Sequence, residues 1–253
     1  MDERHISFQN SRELLLSGIL NPGATVVDSR PWVILSHGML SSKDSQKHGE
    51  LAKALERKGY NIFRFDFSGQ GESQGRPELI TFSDQIDDLN SAIDTCIRIG
   101  ARSFILCGSS MGSAVSALVG EQRSDVAALA LMATLPTTTL IWDAMSEEEK
   151  RLWHISGFMK HGDRQISYAI AEDAHKHDVG KALANFAGPL LAVHGAKDEI
   201  IPPAMAEKAL KERKAATRFE IIPGADHRFS RDEDRKKLID MMSEWINETA
   251  RGL

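Results

Sequence analysis

Five consecutive residues define the chemistry to look for: Gly108-Ser109-Ser110-Met111-Gly112. They spell G-x-S-x-G between an apolar run, Ser103–Cys107 (SFILC), and a helix-period segment from Met111 to Gln122. In that strand–turn–helix context the serine rides on a sharp turn. The chain must reverse within a few residues, which calls for small neighbours and forces the serine into a strained backbone conformation. Its hydroxyl then stands at a helix N-terminus, where backbone N–H groups favour developing negative charge. Ser109, the neighbouring hydroxyl, has the wrong offset from the glycines.

A serine hydroxyl is a weak nucleophile at neutral pH and needs a base. Nine histidines compete. His227, in Gly224-Ala225-Asp226-His227-Arg228-Phe229, falls between the last strand and the last helix, where a loop can reach the carboxyl edge of a sheet. His37 and His194 each follow a strand in a His-Gly pair and shape loops. His154, His161, His175 and His177 read as solvated groups, and His5 and His48 as peripheral. The base needs a carboxylate to fix its tautomer and to stabilise the imidazolium. Asp198, in His194-Gly195-Ala196-Lys197-Asp198-Glu199, is the candidate, with Glu199 its adjacent rival and Asp226 badly placed to reach round to the ring. The order Ser110, Asp198, His227 is the one expected when a G-x-S-x-G serine opens a triad. An oxyanion needs two donors: the Met111 amide, just after the serine, and the Met39 amide in the loop His37-Gly38-Met39. His37 and Gly38, with Trp142 and Trp153, are the candidate substrate contacts.

These residues must be held by the elements around them. Ile6–Phe8 and Leu14–Leu20 read as an opening hairpin; Trp32–Ser36 (WVILS), Tyr60–Phe65, Ser103–Cys107, Val126–Met132, Pro189–His194 and Arg218–Ile222 read as strands. Between them run helical patterns: Lys47–Lys58 stopped by Gly59, a helix opening at Ser83 and ending at Gly100, Met111 to Gln122, and Pro203–Lys214. A final helix is expected to open on a capping box, Ser230 with Glu233. Alternating strands and helices imply βαβ crossovers and a mostly parallel sheet, whose ligands bind beyond the carboxyl ends of the strands. One stretch breaks the alternation. Residues 134–186 are too many for a crossover helix and are read as a cap over the site, the core being 1–133 and 187–253. Within it MSEEEKRLWHISGFM carries acids first and apolar residues later, as an amphipathic helix would.

Over nearly its whole length the chain resembles the α/β-hydrolase superfamily. The segments that carry the likeness are Leu35-Ser36-His37-Gly38, the stretch Asp66-Phe67-Ser68-Gly69-Gln70-Gly71-Glu72-Ser73, the serine elbow, and the Asp198 and His227 loops. It is most similar to bacterial carboxylesterases of the feruloyl/cinnamoyl esterase and monoacylglycerol-lipase-like group. The resemblance implies an eight-stranded, mostly parallel sheet with a cap inserted after the sixth strand. It also implies an acyl-enzyme on Ser110, a structural role for the Asp66 stretch, and a small carboxylic ester as substrate. Ser109 stands where such enzymes often carry histidine, which bears on hydrogen bonding behind the nucleophile. A peptidase, thioesterase or other acyl hydrolase is the alternative on the same fold. Peptide cleavage at a free amine would call for an acidic grip, for which Glu147, Glu148, Glu149, Glu172 and Asp173 are candidates. A ligand-binding scaffold without turnover is the non-enzymatic reading, and such proteins usually lack a triad member.

The composition agrees. A chain of 253 residues, 42% hydrophobic and 26% charged, suits one large α/β domain. A net charge of −5 argues against a nucleic-acid partner. No run approaches the ~18 apolar residues of a membrane span. Without an apolar segment in MDERHISFQN, a cytoplasmic enzyme is expected. Cys96 and Cys107 read as reduced core residues. No cofactor and no metal is expected, and the oligomeric state is open between monomer and homodimer.

Overall fold

The computed structural model describes residues 3–23, 30–162 and 164–253. Strands β1 (Arg4–Gln9) and β2 (Leu15–Asn21) form the opening hairpin. β3 (Trp32–Ser36), β4 (Ile62–Phe65), β5 (Phe104–Ser109) and β6 (Val126–Met132) follow, and β9 (Leu190–Gly195) and β10 (Thr217–Ile222) close the sheet. The eight strands lie in the order β1-β2-β4-β3-β5-β6-β9-β10, antiparallel at the β1 edge and parallel from β4 onward. Every residue of β3, β4, β5 and β9 is buried, as mainly apolar strands covered on both faces must be, with Arg64 in β4 and His194 in β9 the charged or titratable exceptions. The two outer strands carry Arg4, His5 and Arg218 on exposed positions and Glu220 on a half-buried one, and such polar side chains discourage edge pairing.

Helices cover both faces. α1 (Gln46–Glu56) packs on α9 (Asp232–Thr249) over one face. On the other, α2 (Phe82–Arg98) packs on α3 (Met111–Gln122), α3 on α7 (Val179–Asn185), and α7 on α8 (Pro203–Lys211). Cys96 and Cys107 are free and buried, and burial pushes both thiols up. No helix among the described residues is long and apolar enough to cross a membrane.

The long insertion follows β6, as expected. It contains α4 (Leu140–Asp143), α5 (Glu147–Ser156), a two-stranded hairpin of β7 (Phe158–His161) and β8 (Arg164–Ser167), and α6 (Ala169–Ala174), then reaches α7. α5 is the amphipathic helix foreseen. Ser146 and Glu149 cap each other's amides, and Gly157 ends the helix at φ 73°. The hairpin was not foreseen: four-residue strands give too short an alternation to read. Trp153 pins it to α5 by donating Nε1–H to the Ile166 carbonyl at 3.1 Å. Asp173 ties the insertion to the body by accepting the Ser83 hydroxyl at 2.7 Å and the Ser83 amide at 2.8 Å. Ser83 therefore does not open α2. Thr81 does, its hydroxyl accepting the Asp84 amide.

Two capping expectations thus shift, and the second concerns the site. α9 begins at Asp232 with Arg231 as its N-cap and no side-chain cap. The Ser230 amide donates instead to Asp226 Oδ1 at 2.9 Å, inside the turn that carries His227.

Candidate active site

The elbow is built by close backbone approach. A side chain on Gly108 would collide with the backbone of Gly112, and one on Gly112 with the carbonyls of Ser36 and His37. Strand, turn and helix meet there with no room for a Cβ. Ser110 takes φ 53° and ψ −121°, a conformation that costs on the order of 1–3 kcal/mol for a residue with a side chain. Its amide donates to the Met132 carbonyl at 2.9 Å, which anchors the turn to the end of β6. The Ser113 hydroxyl donates to the Ser110 carbonyl and accepts the Leu135 amide, linking α3 to the start of the insertion. Ser109 belongs to β5 and is buried, its hydroxyl without a partner among the described residues.

The three candidate residues meet. His227 Nδ1 lies 2.8 Å from Asp198 Oδ2, and its Nε2 lies 3.1 Å from Ser110 Oγ. Nδ1 against a carboxylate must carry the proton, so Nε2 presents its lone pair to the serine hydroxyl, as a general base requires. Asp198 is fully engaged. Oδ1 accepts the Ile200 and Ile201 amides at 3.0 and 2.8 Å, while Oδ2 faces His227 and also His194 Nε2 at 3.1 Å. Burial opposes its ionisation, but the hydrogen bonds from His194, His227 and Ile201 outweigh it and hold the carboxyl well below the usual carboxylate range. Asp226 spends Oδ1 on the Arg228 and Ser230 amides and takes no part.

His194 is the residue the sequence reading missed. Assigned to loop shaping, it is wholly buried, with Nε2 between Asp198 Oδ2 and the Ile201 carbonyl at 2.9 Å. Two acceptors at one nitrogen mean that Nε2 carries the proton. The four-residue spacing His194–Asp198 across a tight turn was the available signal.

His37 requires a correction. It was expected to touch substrate, but its ring is buried, with Nδ1 2.8 Å from the Gly38 carbonyl and Nε2 accepting the Phe67 amide at 3.1 Å. Burial pushes its pKa down and keeps it neutral. It braces the loop from beneath. Gly38 does line the cavity. A Cβ there would sit 3.3 Å from Ser110 Cβ, so a side chain would crowd the nucleophile.

Beneath this loop the Asp66 stretch forms a second polar centre. The Asp66 carboxylate accepts the Lys43 amide at 2.6 Å, Lys43 Nζ at 2.8 Å and the Glu72 amide at 2.9 Å. Lys43 Nζ also meets Glu72 at 2.7 Å. Burial works against the Lys43 ammonium, but its carboxylate partners raise its pKa above the ordinary lysine value.

Ser110 and His227 open into a cavity of about 650 Å³, within the usual range for small-molecule sites. Met39, Met111, Trp142 and Trp153 line it, so all the expected contacts except His37 meet there. None of Glu147, Glu148, Glu149, Glu172 or Asp173 does. Glu147 and Glu148 pair along the surface with Lys150 and Arg151, Glu149 caps α5, and Asp173 binds Ser83.

The chain is similar to known proteins in sequence and fold. Residues 28–161, just over half of the chain, match the family model described as serine aminopeptidase, S33. The chain belongs to this family of α/β-hydrolases. Residues 172–250 match the dienelactone hydrolase family, so the segments that carry Asp198 and His227 are covered as well. A palmitoyl-protein thioesterase, the mitochondrial ABHD10 of Pongo abelii, is 25% identical over 228 residues, covering 86% of this chain and 73% of the relative. A monoacylglycerol lipase of Mycolicibacterium smegmatis is 25% identical over 255 residues, covering 87% and 89%. Among solved structures, Est1E of Butyrivibrio proteoclasticus with bound ferulic acid superposes with a TM-score of 0.83 at 19% identity, over 96% of this chain and 98% of that one. At that identity the likeness shows the fold alone. The chain is thus an α/β-hydrolase at family level.

Proposed function

We propose that the protein is a carboxylic ester hydrolase that works through an acyl-enzyme on Ser110. The observation that carries this is the continuous relay Asp198–His227–Ser110, at 2.8 and 3.1 Å, opening into a largely apolar cavity. Ser110 Oγ attacks the acyl carbon as its proton passes to His227 Nε2, and Asp198 steadies the imidazolium through Nδ1–H. The amides of Met39 and Met111 receive the oxyanion. The tetrahedral species collapses by breaking the bond to the leaving oxygen, which takes the proton from Nε2. Water then attacks the acyl carbon, gives its proton to His227, and Ser110 Oγ leaves with it. Residues 134–186 act as the cap, with Trp142 and Trp153 against the acyl group.

The experiment is labelling with a fluorophosphonate and mapping of the adduct by mass spectrometry. A single adduct on Ser110, absent in Ser110→Ala together with esterase activity, is the expected result. An adduct elsewhere, or an active alanine variant, overturns the reading. A thioester substrate is the second reading, favoured by the relative named as a palmitoyl-protein thioesterase. Paired oxygen and thiol esters of the same acyl group separate the two. Aminopeptidase activity has less support, because no carboxylate among the described residues lines the cavity to hold an α-amine.

A further inference from the structure

The cavity has two chemically different ends. Towards α2 and the insertion it is lined by Phe82, Leu135, Leu140, Ile141, Trp142 and Trp153, which belong to or pack on the apolar cluster of that face. Towards α1 and α9 it is lined by Lys47, Arg228 and Arg235. Arg235 is neutralised by Glu50 and Asp232. Lys47 and Arg228 have no carboxylate within ion-pair distance among the described residues. The half-buried Lys47 ammonium lies 5.9 Å over the Phe229 ring and makes no hydrogen bond there. Asp226, the nearest acid in the chain to Arg228, is turned to backbone amides. Burial, with the Arg228 charge next and against the pull of Asp226 and Asp198, brings Lys47 down to about 8, as expected for a cation short of counter-charge.

The reaction decides which end holds which part of the substrate. The leaving oxygen must receive its proton from His227 Nε2, so the leaving group departs on the His227 side, where Arg228 is the next residue. The apolar end is left for the acyl chain. We propose that Lys47 and Arg228 form an anion-recognition subsite, so that the substrate class is an acyl ester or thioester whose leaving group carries a carboxylate or a phosphate. The proposal rests on the acyl-enzyme reading above. The chain's net charge of −5 would by itself repel such a substrate, so a preference for it must arise locally.

The test compares the 4-carboxyphenyl and 4-carbamoylphenyl esters of hexanoic acid, which match in size and closely in leaving-group acidity, with a 4-(phosphonomethyl)phenyl ester as a third arm. The wild-type enzyme should favour the carboxylate over the amide by about tenfold in kcat/KM at low ionic strength, the scale of a charge-assisted contact. The ratio should fall towards one in Lys47→Met combined with Arg228→Gln, stay high in Lys47→Arg, and shrink in wild type between about 50 mM and about 500 mM salt. The larger of the carboxylate and phosphonate preferences identifies the anion. A wild-type ratio of one or less overturns the proposal, and so does a ratio that the double variant leaves unchanged. Ser110→Ala run in parallel separates the failures. If it hydrolyses all three esters, the acyl-enzyme reading has failed. If it is dead while the wild-type ratio is one, only the anion subsite has.

Discussion

Asp66 and Asp198 are both buried carboxylates, and each follows a parallel strand, yet they are furnished in opposite ways. Asp66 faces a lysine ammonium and two amides. Asp198 faces two imidazoles and two amides. Both have enough donors to repay the loss of water. Only Asp66 has a permanent cation. Its charge is cancelled at rest, and through Lys43 it locks the loop that leads to α1. The charge of Asp198 is solvated by dipoles but not cancelled, so in the mechanism proposed above it stays available when His227 takes a proton from Ser110. Equal burial therefore does not mean equal use: the partner decides whether a buried acid is a rivet or part of a relay.

That contrast can be tested from the strongest effect downward. Ser110→Ala, which removes the end of the relay, should lower kcat by about 10⁶-fold with an unchanged circular dichroism spectrum. Asp198→Asn should lower kcat by about 10⁴-fold while leaving KM and fold largely intact, because the amide stabilises the wrong His227 tautomer. Lys43→Met should behave in the other sense. It leaves Asp66 buried without its cation and should cost about 3–5 kcal/mol in urea unfolding, with a much smaller loss of kcat in the fraction that stays folded.

The two centres should also leave opposite marks on stability against pH. The Asp198 pKa is depressed on folding, so its contribution is present above the ordinary carboxylate value of about 4 and is lost as pH falls below it. The Lys43 pKa is raised, so its contribution is present below the ordinary lysine value of about 10.4 and is lost as pH rises towards its folded value. Urea midpoints should show a shallower acid limb in Asp198→Asn and a shallower alkaline limb in Lys43→Met. The reverse assignment would break the comparison. The smallest effect expected is that of Gly38→Ala, whose methyl group would meet Ser110 Cβ at 3.3 Å. It should lower kcat/KM by about tenfold with little change in melting temperature.

The parts of the site legible in the sequence were those fixed by backbone demands. Gly108 and Gly112 are glycines because nothing larger fits, so the elbow announces itself. All eight strands of the main sheet were readable, the four fully buried ones as short, mainly apolar runs. What escaped depended on side chains choosing among partners. His37 and His194 look alike in sequence, each in a His-Gly pair, but one braces Phe67 and the other reaches Asp198. Ser230 with Glu233 has the spacing of a capping box, but the Asp226 turn that delivers His227 claims the Ser230 amide first. The same motif operates at Ser146 and Glu149, where no tertiary partner competes.

Trp142 and Trp153 were introduced as walls of the cavity, and they make the protein its own optical probe. The chain has four tryptophans, and the other two, Trp32 and Trp245, sit in the separate cores on opposite faces of the sheet. Those two give a steady background emission, while the cavity pair changes with whatever displaces water from beside it. Occupancy of the site can thus be followed by intrinsic fluorescence without a chromogenic substrate. Trp142→Phe would assign the signal to the more exposed indole or to the one hydrogen-bonded to Ile166.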